Sequence, residues 1–156
     1  MGQRYIHILN GPNLDHLGVR EPHIYGRETL ADVESRCRRE VDGWPAGPGI
    51  DLIFRQTNAE HEMVGWLHQA RVGALGVVIN PAAFSYAGYA MLDALKMCDC
   101  PIVEVHISNI HHREESWRSR SIITPAATAI ISGMGIDGYP LAVRHLLHLS
   151  QRRNAA

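Results

Sequence analysis

Cysteine is scarce in this chain and uneven in number, with Cys37, Cys98 and Cys100 the three in 156 residues. That argues against a disulfide framework and fits a reducing compartment. Net charge is equally small. Fifteen Lys and Arg against sixteen Asp and Glu leave −1 with His neutral, so no overall field draws in nucleic acid or an anionic membrane. Long apolar runs are missing: none approaches the roughly 20 residues that span a bilayer, and the opening run, interrupted by His7, is too short for a signal peptide. The expectation is a soluble, cytoplasmic protein that meets a small-molecule substrate at a local site, with no nucleic-acid or membrane partner. Nucleotide and metal signatures are absent as well. No Walker motif occurs, and Gly133-Met134-Gly135-Ile136-Asp137-Gly138 has the outline of a dinucleotide loop but follows the last apolar run. His111 and His112 are adjacent rather than four apart, and Cys98-Asp99-Cys100 is not a zinc knuckle. Neither a metal nor a cofactor is expected.

What is present describes a folded α/β domain. Apolar residues make up 46% and charged residues 20%, a globular composition, and the length suits a single domain over 1–156. Short runs rich in Ile and Val at 5–9, 50–54, 75–79, 102–105 and 129–131 read as strands buried on both faces. Between and after them, 29–44, 60–71, 86–97 and 140–149 carry apolar residues at helical spacing, and only 152–156 reads as a frayed tail. Strand and helix alternate throughout. That pattern predicts a five-stranded parallel sheet, doubly wound with helices on both faces, for which the flavodoxin-like order 2-1-3-4-5 is the candidate. Ligands of such sheets lie beyond the carboxyl ends of the strands, which directs attention to 10–28, 80–86 and 106–121. The first of these is far longer than an ordinary strand-to-helix loop, as lids and binding loops are.

Within these segments the chemistry-bearing residues are few. Asn10-Gly11-Pro12-Asn13-Leu14 puts two carboxamides and a tight turn directly after the first strand, although good turn residues alone account for half of that signal. Arg20 and Tyr25 follow on the long loop. A guanidinium beside a phenol favours the phenolate, which makes a base, but an Arg stacked on an exposed Tyr is the commoner use of such a pair. Asn80 ends an apolar strand, and Ser85 reads as an ordinary helix N-cap. Glu104 and His106 are two apart in a strand and so share a face, where a carboxylate orients an imidazole as a general acid. Arg113 and Arg118 then form a cationic pair suited to an anion or polyol.

Five segments in register carry a resemblance. They are Leu9-Asn10-Gly11-Pro12-Asn13-Leu14, Gly18-x-Arg20-Glu21-Pro22-x-Ile24-Tyr25-Gly26, Phe54-Arg55-Gln56-x-Asn58, Ile79-Asn80-Pro81-Ala82-Ala83 and Val103-Glu104-Val105-His106-Ile107-Ser108-Asn109-Ile110-His111. Together they resemble type II 3-dehydroquinate dehydratase over nearly the whole chain. The resemblance implies a flavodoxin-like subunit of a homo-oligomer, a dodecamer of four trimers. It also implies anti elimination of water from 3-dehydroquinate, giving 3-dehydroshikimate without metal or cofactor. Carried over by position, Tyr25 is the base, with Arg20 and Arg113 favouring its phenolate. Asn13 holds the water that serves the enolate oxygen, and His106, oriented by Glu104, protonates the departing hydroxyl. Asn80, Ile107 and Ser108 hold the C1 substituents, Arg113 meets a ring hydroxyl, Arg118 belongs to the lid, and Asp93 reaches a neighbouring subunit's site.

Two departures from the family pattern stand out. Tyr86 occupies the place of a histidine that contacts substrate hydroxyls, and the segment 113–121 has one residue more between its arginines. Both bear on substrate recognition, and neither touches Tyr25 or His106. A divergent paralogue acting on a related cyclic hydroxy ketone, or a flavodoxin-like module that only binds a small ligand, therefore stays open.

Overall fold

All five apolar runs form strands in the computed structural model, which describes residues 4–45 and 49–154. They are β1 (Arg4–Asn10), β2 (Ile50–Gln56), β3 (Ala74–Asn80), β4 (Ile102–His106) and β5 (Ala129–Ser132). Every pairing is parallel, and the order is β2-β1-β3-β4-β5, the flavodoxin-like arrangement. Each strand runs one or two residues past its apolar core at the carboxyl end. The added residues are Asn10, Gln56, Asn80, His106 and Ser132, and the register pairs Asn10 with both Gln56 and Asn80, and His106 with Ser132. A row of polar side chains thus closes the carboxyl edge of an apolar sheet.

Burial on both faces holds for the central strands only. β1, β3 and β4 are almost wholly buried, whereas β2 and β5 are half-exposed edges, with Ile130 39% accessible. The strands' period of two sorts the side chains into two cores. Ile6, Ile8, Val78, Val103 and Val105 face α2 (Leu30–Asp42) and α6 (Gly138–Asn154), which contribute Val33, Cys37, Val143, Leu146 and Leu147. Leu9, Val77, Ile79 and Ile102 face α3 (Glu60–Ala70) and α5 (Tyr89–Lys96) through Met63, Leu67, Met91 and Leu95. Gly76 lets α6 approach β3: a Cβ there would lie 2.6 Å from a Leu146 methyl.

Local chemistry sets the helix boundaries. Thr29 starts α2 as the N-cap of a complete capping box with Asp32, a feature worth about 1 kcal/mol. The helix expected over 86–97 is instead two, α4 (Phe84–Ala87) and α5, because Gly88 leaves the helical region at φ −75°, ψ 60°. At the C-terminus α6 continues through Asn154, so residues 152–154 are helical rather than frayed, and the last two expected in that tail lie outside the described residues. Its start also moves back two residues. Pro140 sits in the first turn, where its missing N–H has no intrahelical partner to lose.

His7, near the middle of β1, is buried on the α3 side. Burial, aided by the Arg55 charge, pushes its imidazole down to about 4, so it packs as a neutral ring at physiological pH. No helix among the described residues is long and apolar enough to cross a membrane.

Candidate active site

Loops from β1 and β3 meet at the carboxyl edge because Gly11 has no side chain. Its N–H donates to the Asn80 carbonyl at 2.8 Å, and a Cβ would lie 2.2 Å from the Pro81 oxygen. Behind them runs a buried polar chain. Asn80 Nδ2 donates to the Tyr139 hydroxyl at 2.8 Å, that hydroxyl donates to Asn10 Oδ1 at 2.7 Å, and Asn10 Nδ2 donates to the Arg55 carbonyl at 3.1 Å. Burial drives the Tyr139 phenol above its ordinary range and keeps it neutral. Asn80 Oδ1 accepts from the Ala82 N–H at 3.2 Å, which supports the left-handed Ala82 at φ 47°. Ser85 is not an N-cap. It lies inside α4, 2% exposed, and its hydroxyl donates back to the Ala82 carbonyl at 2.7 Å.

β4 delivers the Glu104–His106 pair as its register requires. His106 Nε2 lies 2.7 Å from Glu104 Oε1, and the Thr124 hydroxyl donates to Glu104 Oε2 at 2.7 Å. Glu104 is fully buried. Burial alone would raise its carboxyl, but hydrogen bonds from His106 and Thr124, with the imidazole's charge, hold it below the usual carboxylate range. His106 Nδ1 has no hydrogen-bond partner among the described residues, and the ring faces the cavity. Just beyond β4, the Ile107 and Ser108 carbonyls are used by Gly135 N–H and Ser132 Oγ, while their own N–H groups donate to no partner among the described residues.

The long loop after β1 is anchored rather than free. Leu14 and Leu17 are buried in the α2/α6 core, and a short helix, α1 (Pro22–Tyr25), presents Tyr25 half-buried at its end. Arg20 lines the same cavity, but its Nε pairs with Glu21 Oε2 at 3.3 Å, and no hydrogen bond joins it to Tyr25 among the described residues. Arg113 instead bridges two cavity groups, donating to the Tyr86 hydroxyl at 3.1 Å and to Ser108 Oγ at 2.9 Å. Arg118 lines the cavity with both phenols, and its guanidinium carbon lies 5.8 Å from the centre of the Trp117 ring. Trp117, 61% exposed, sits edge-on to Tyr86 with centroids 5.0 Å apart.

These residues enclose a cavity of about 120 Å³. Asn13, Arg20, Tyr25, Asn80, Tyr86, His106, Ile107, Ser108, Arg113 and Arg118 all line it, with Glu104 directly behind His106. Asp93 does not; it is exposed on α5. Sequence reasoning missed Tyr139, Thr124 and Trp117. Tyr139 left a faint signal as a large polar side chain beside a predicted helix start, and the other two left none.

With that arrangement in view, residues 4–147 match the profile of the family described as dehydroquinase class II. The chain belongs to the class II dehydroquinase family. It is 51% identical over 148 residues to 3-dehydroquinate dehydratase of Methylobacterium radiotolerans, covering 95% of this chain and 96% of that protein. To 3-dehydroquinate dehydratase 2 of Agrobacterium fabrum it is 50% identical, with 93% and 95% covered. Two crystal structures of type II dehydroquinases superpose on it. That from Butyrivibrio crossotus has a TM-score of 0.84 at 34% identity, covering 92% of this chain and 97% of that one, and that from Propionibacterium acnes 0.81 at 41%, covering 94% and 98%. The cavity of this dehydroquinase-family chain lies at the carboxyl ends of β1, β3 and β4, around the switch point where strand order reverses.

Proposed function

We propose that this protein is a 3-dehydroquinate dehydratase, a hydro-lyase that eliminates water through an enolate. Family membership and the names of its close relatives support the reaction class. The observation that carries the mechanism is a phenol, Tyr25, and a carboxylate-backed imidazole, His106, lining one cavity from different elements. Tyr25 as phenolate removes the C2 proton next to the ketone. Electron density moves onto the ketone oxygen, where a water held by Asn13 donates a hydrogen bond as charge develops. His106 then gives its proton to the C1 hydroxyl, which leaves as water, and Glu104, hydrogen-bonded to the other ring nitrogen, orients the imidazole. The free Ile107 and Ser108 N–H groups suit the substrate carboxylate. The test is the appearance of conjugated-enone absorbance from 3-dehydroquinate in the presence of chelator. Absence of turnover at any pH between 6 and 10 would refute the reading.

Tyr86 is where this site departs from its relatives' pattern. Its hydroxyl already occupies Arg113 Nη1, so a substrate hydroxyl must compete for that donor. A histidine is shorter and leaves Arg113 free. Tyr86→His should therefore raise kcat/KM for 3-dehydroquinate by about 2- to 13-fold, the worth of one net hydrogen bond of about 0.5 to 1.5 kcal/mol. A decrease would mean instead that Tyr86 takes part in recognising this substrate.

A further inference from the structure

Asn13 is exposed, and its carboxamide makes no hydrogen bond among the described residues, so nothing acting on the side chain itself holds it in the cavity. Its direction is set by its backbone. Asn13 stands in the left-handed region at φ 65°, ψ 3°, as the first residue of a 3₁₀ turn closed by His16 N–H to the Asn13 carbonyl at 3.1 Å. A non-glycine residue there costs on the order of 1 kcal/mol and persists only where its surroundings require it. The requirement comes from the far end of β2. Asn13 N–H donates to Asn58 Oδ1 at 2.9 Å. Gln56 Nε2 donates to that same oxygen at 3.1 Å and to the Gly11 carbonyl at 3.2 Å, tying the acceptor to the opposite side of the turn. The register makes this meeting automatic: Asn10 pairs with Gln56, and the Thr57 N–H donates to the Asn10 carbonyl at 3.0 Å, which carries Asn58 alongside Asn13.

We infer that Asn58, held by Gln56, is a positioning residue that fixes the Asn13 backbone so that its carboxamide points into the cavity. Asn58 itself is exposed and does not line the cavity, so it acts only through Asn13. This gives a role to the Gln56-x-Asn58 motif, and it rests on the reading of Asn13 as the group that serves the enolate oxygen. The chemistry is asymmetric. Only Oδ1 of Asn58 is used; its amide nitrogen has no partner among the described residues. An aspartate keeps the acceptor, and an alanine removes it.

The test is steady-state kinetics on 3-dehydroquinate for Asn58→Ala, Asn58→Asp, Asn13→Ala and the Asn13→Ala/Asn58→Ala double variant, with melting temperatures alongside. Asn58→Ala should lower kcat about tenfold with KM within about threefold, since a misplaced group loses transition-state contacts. Asn58→Asp should recover kcat to within about threefold of the parent. The double variant should be no slower than Asn13→Ala alone, because a residue that acts through another has nothing left to act on. Multiplying effects, an unchanged kcat in Asn58→Ala, or equal losses in Asn58→Ala and Asn58→Asp that track a lowered melting temperature would each overturn the inference. Those outcomes in a parent protein that turns over 3-dehydroquinate leave the proposed function standing, whereas a parent with no turnover would overturn both.

Discussion

Tyr25→Phe should lower kcat on 3-dehydroquinate by about 10²- to 10⁴-fold while KM moves by no more than about threefold, the pattern of a lost group that acts only in the transition state. The structure makes this a clean substitution. The Tyr25 ring packs, half-buried, against the α2/α6 core, and a phenylalanine keeps that contact. Its hydroxyl makes no hydrogen bond among the described residues, so its removal orphans no buried partner and the melting temperature should hold. What disappears is the oxygen proposed to accept the C2 proton. Stopped-flow or steady-state absorbance of the enone measures the loss. A variant that keeps more than about a tenth of the parent rate would move the base elsewhere, since removing a base typically costs on the order of 100-fold or more. Tyr86, the other phenol of the cavity and the one Arg113 touches, would then be the residue to replace next.

That the sequence pointed to the segments that bring Tyr25 and His106 to one cavity, and to the Glu104–His106 pair, but not to the contacts between loops, has a physical cause. The strands are apolar runs too short for helices, and their alternation with amphipathic stretches leaves the doubly wound sheet as the economical topology. Within a strand, side-chain direction follows from the period of two, so Glu104 and His106 could be placed on one face before any contact was known. The edge strands broke the expectation of two-sided burial because a sheet has edges wherever its order ends. Contacts between loops follow no such period. Tyr139 joins Asn80 across 59 positions and Asn10 across 129, and nothing local to the turn after β1 or to α6 announces the other. The arginines illustrate the same limit. The spacing put Arg20 beside Tyr25, yet Arg20 spends its Nε on the adjacent Glu21, and the guanidinium that bridges phenol and hydroxyl is that of Arg113, 27 positions from Tyr86. Gly88 splits a helix whose apolar periodicity runs straight through it, because the break is a backbone event and periodicity records only side chains.

His106→Gln should cost about 10²- to 10⁴-fold in kcat, the range for loss of a general acid, with KM within a few-fold. Glutamine is the informative replacement. Alanine would leave the Glu104 carboxylate fully buried with only the hydroxyls of Thr124 and Ser121 near it, and an uncompensated buried charge typically costs about 3 to 5 kcal/mol. A glutamine amide still donates toward Glu104 but has no proton to give to a departing hydroxide, so fold and acid function are separated. Glu104→Gln is the companion. The imidazolium's charge helps hold the Glu104 carboxyl below the usual carboxylate range. Removing that carboxylate should lower kcat, because the ring loses the charged acceptor that orients it. The linkage has a sign for stability as well. Because the folded-state Glu104 is held down, the pair's contribution is present above the ordinary carboxylate range and is lost as pH falls through the lowered folded value. Glu104→Gln should therefore flatten the acid side of a melting-temperature profile. A Glu104→Gln protein whose melting temperature falls with acid as steeply as the parent's would show that this carboxylate carries none of the acid-side loss.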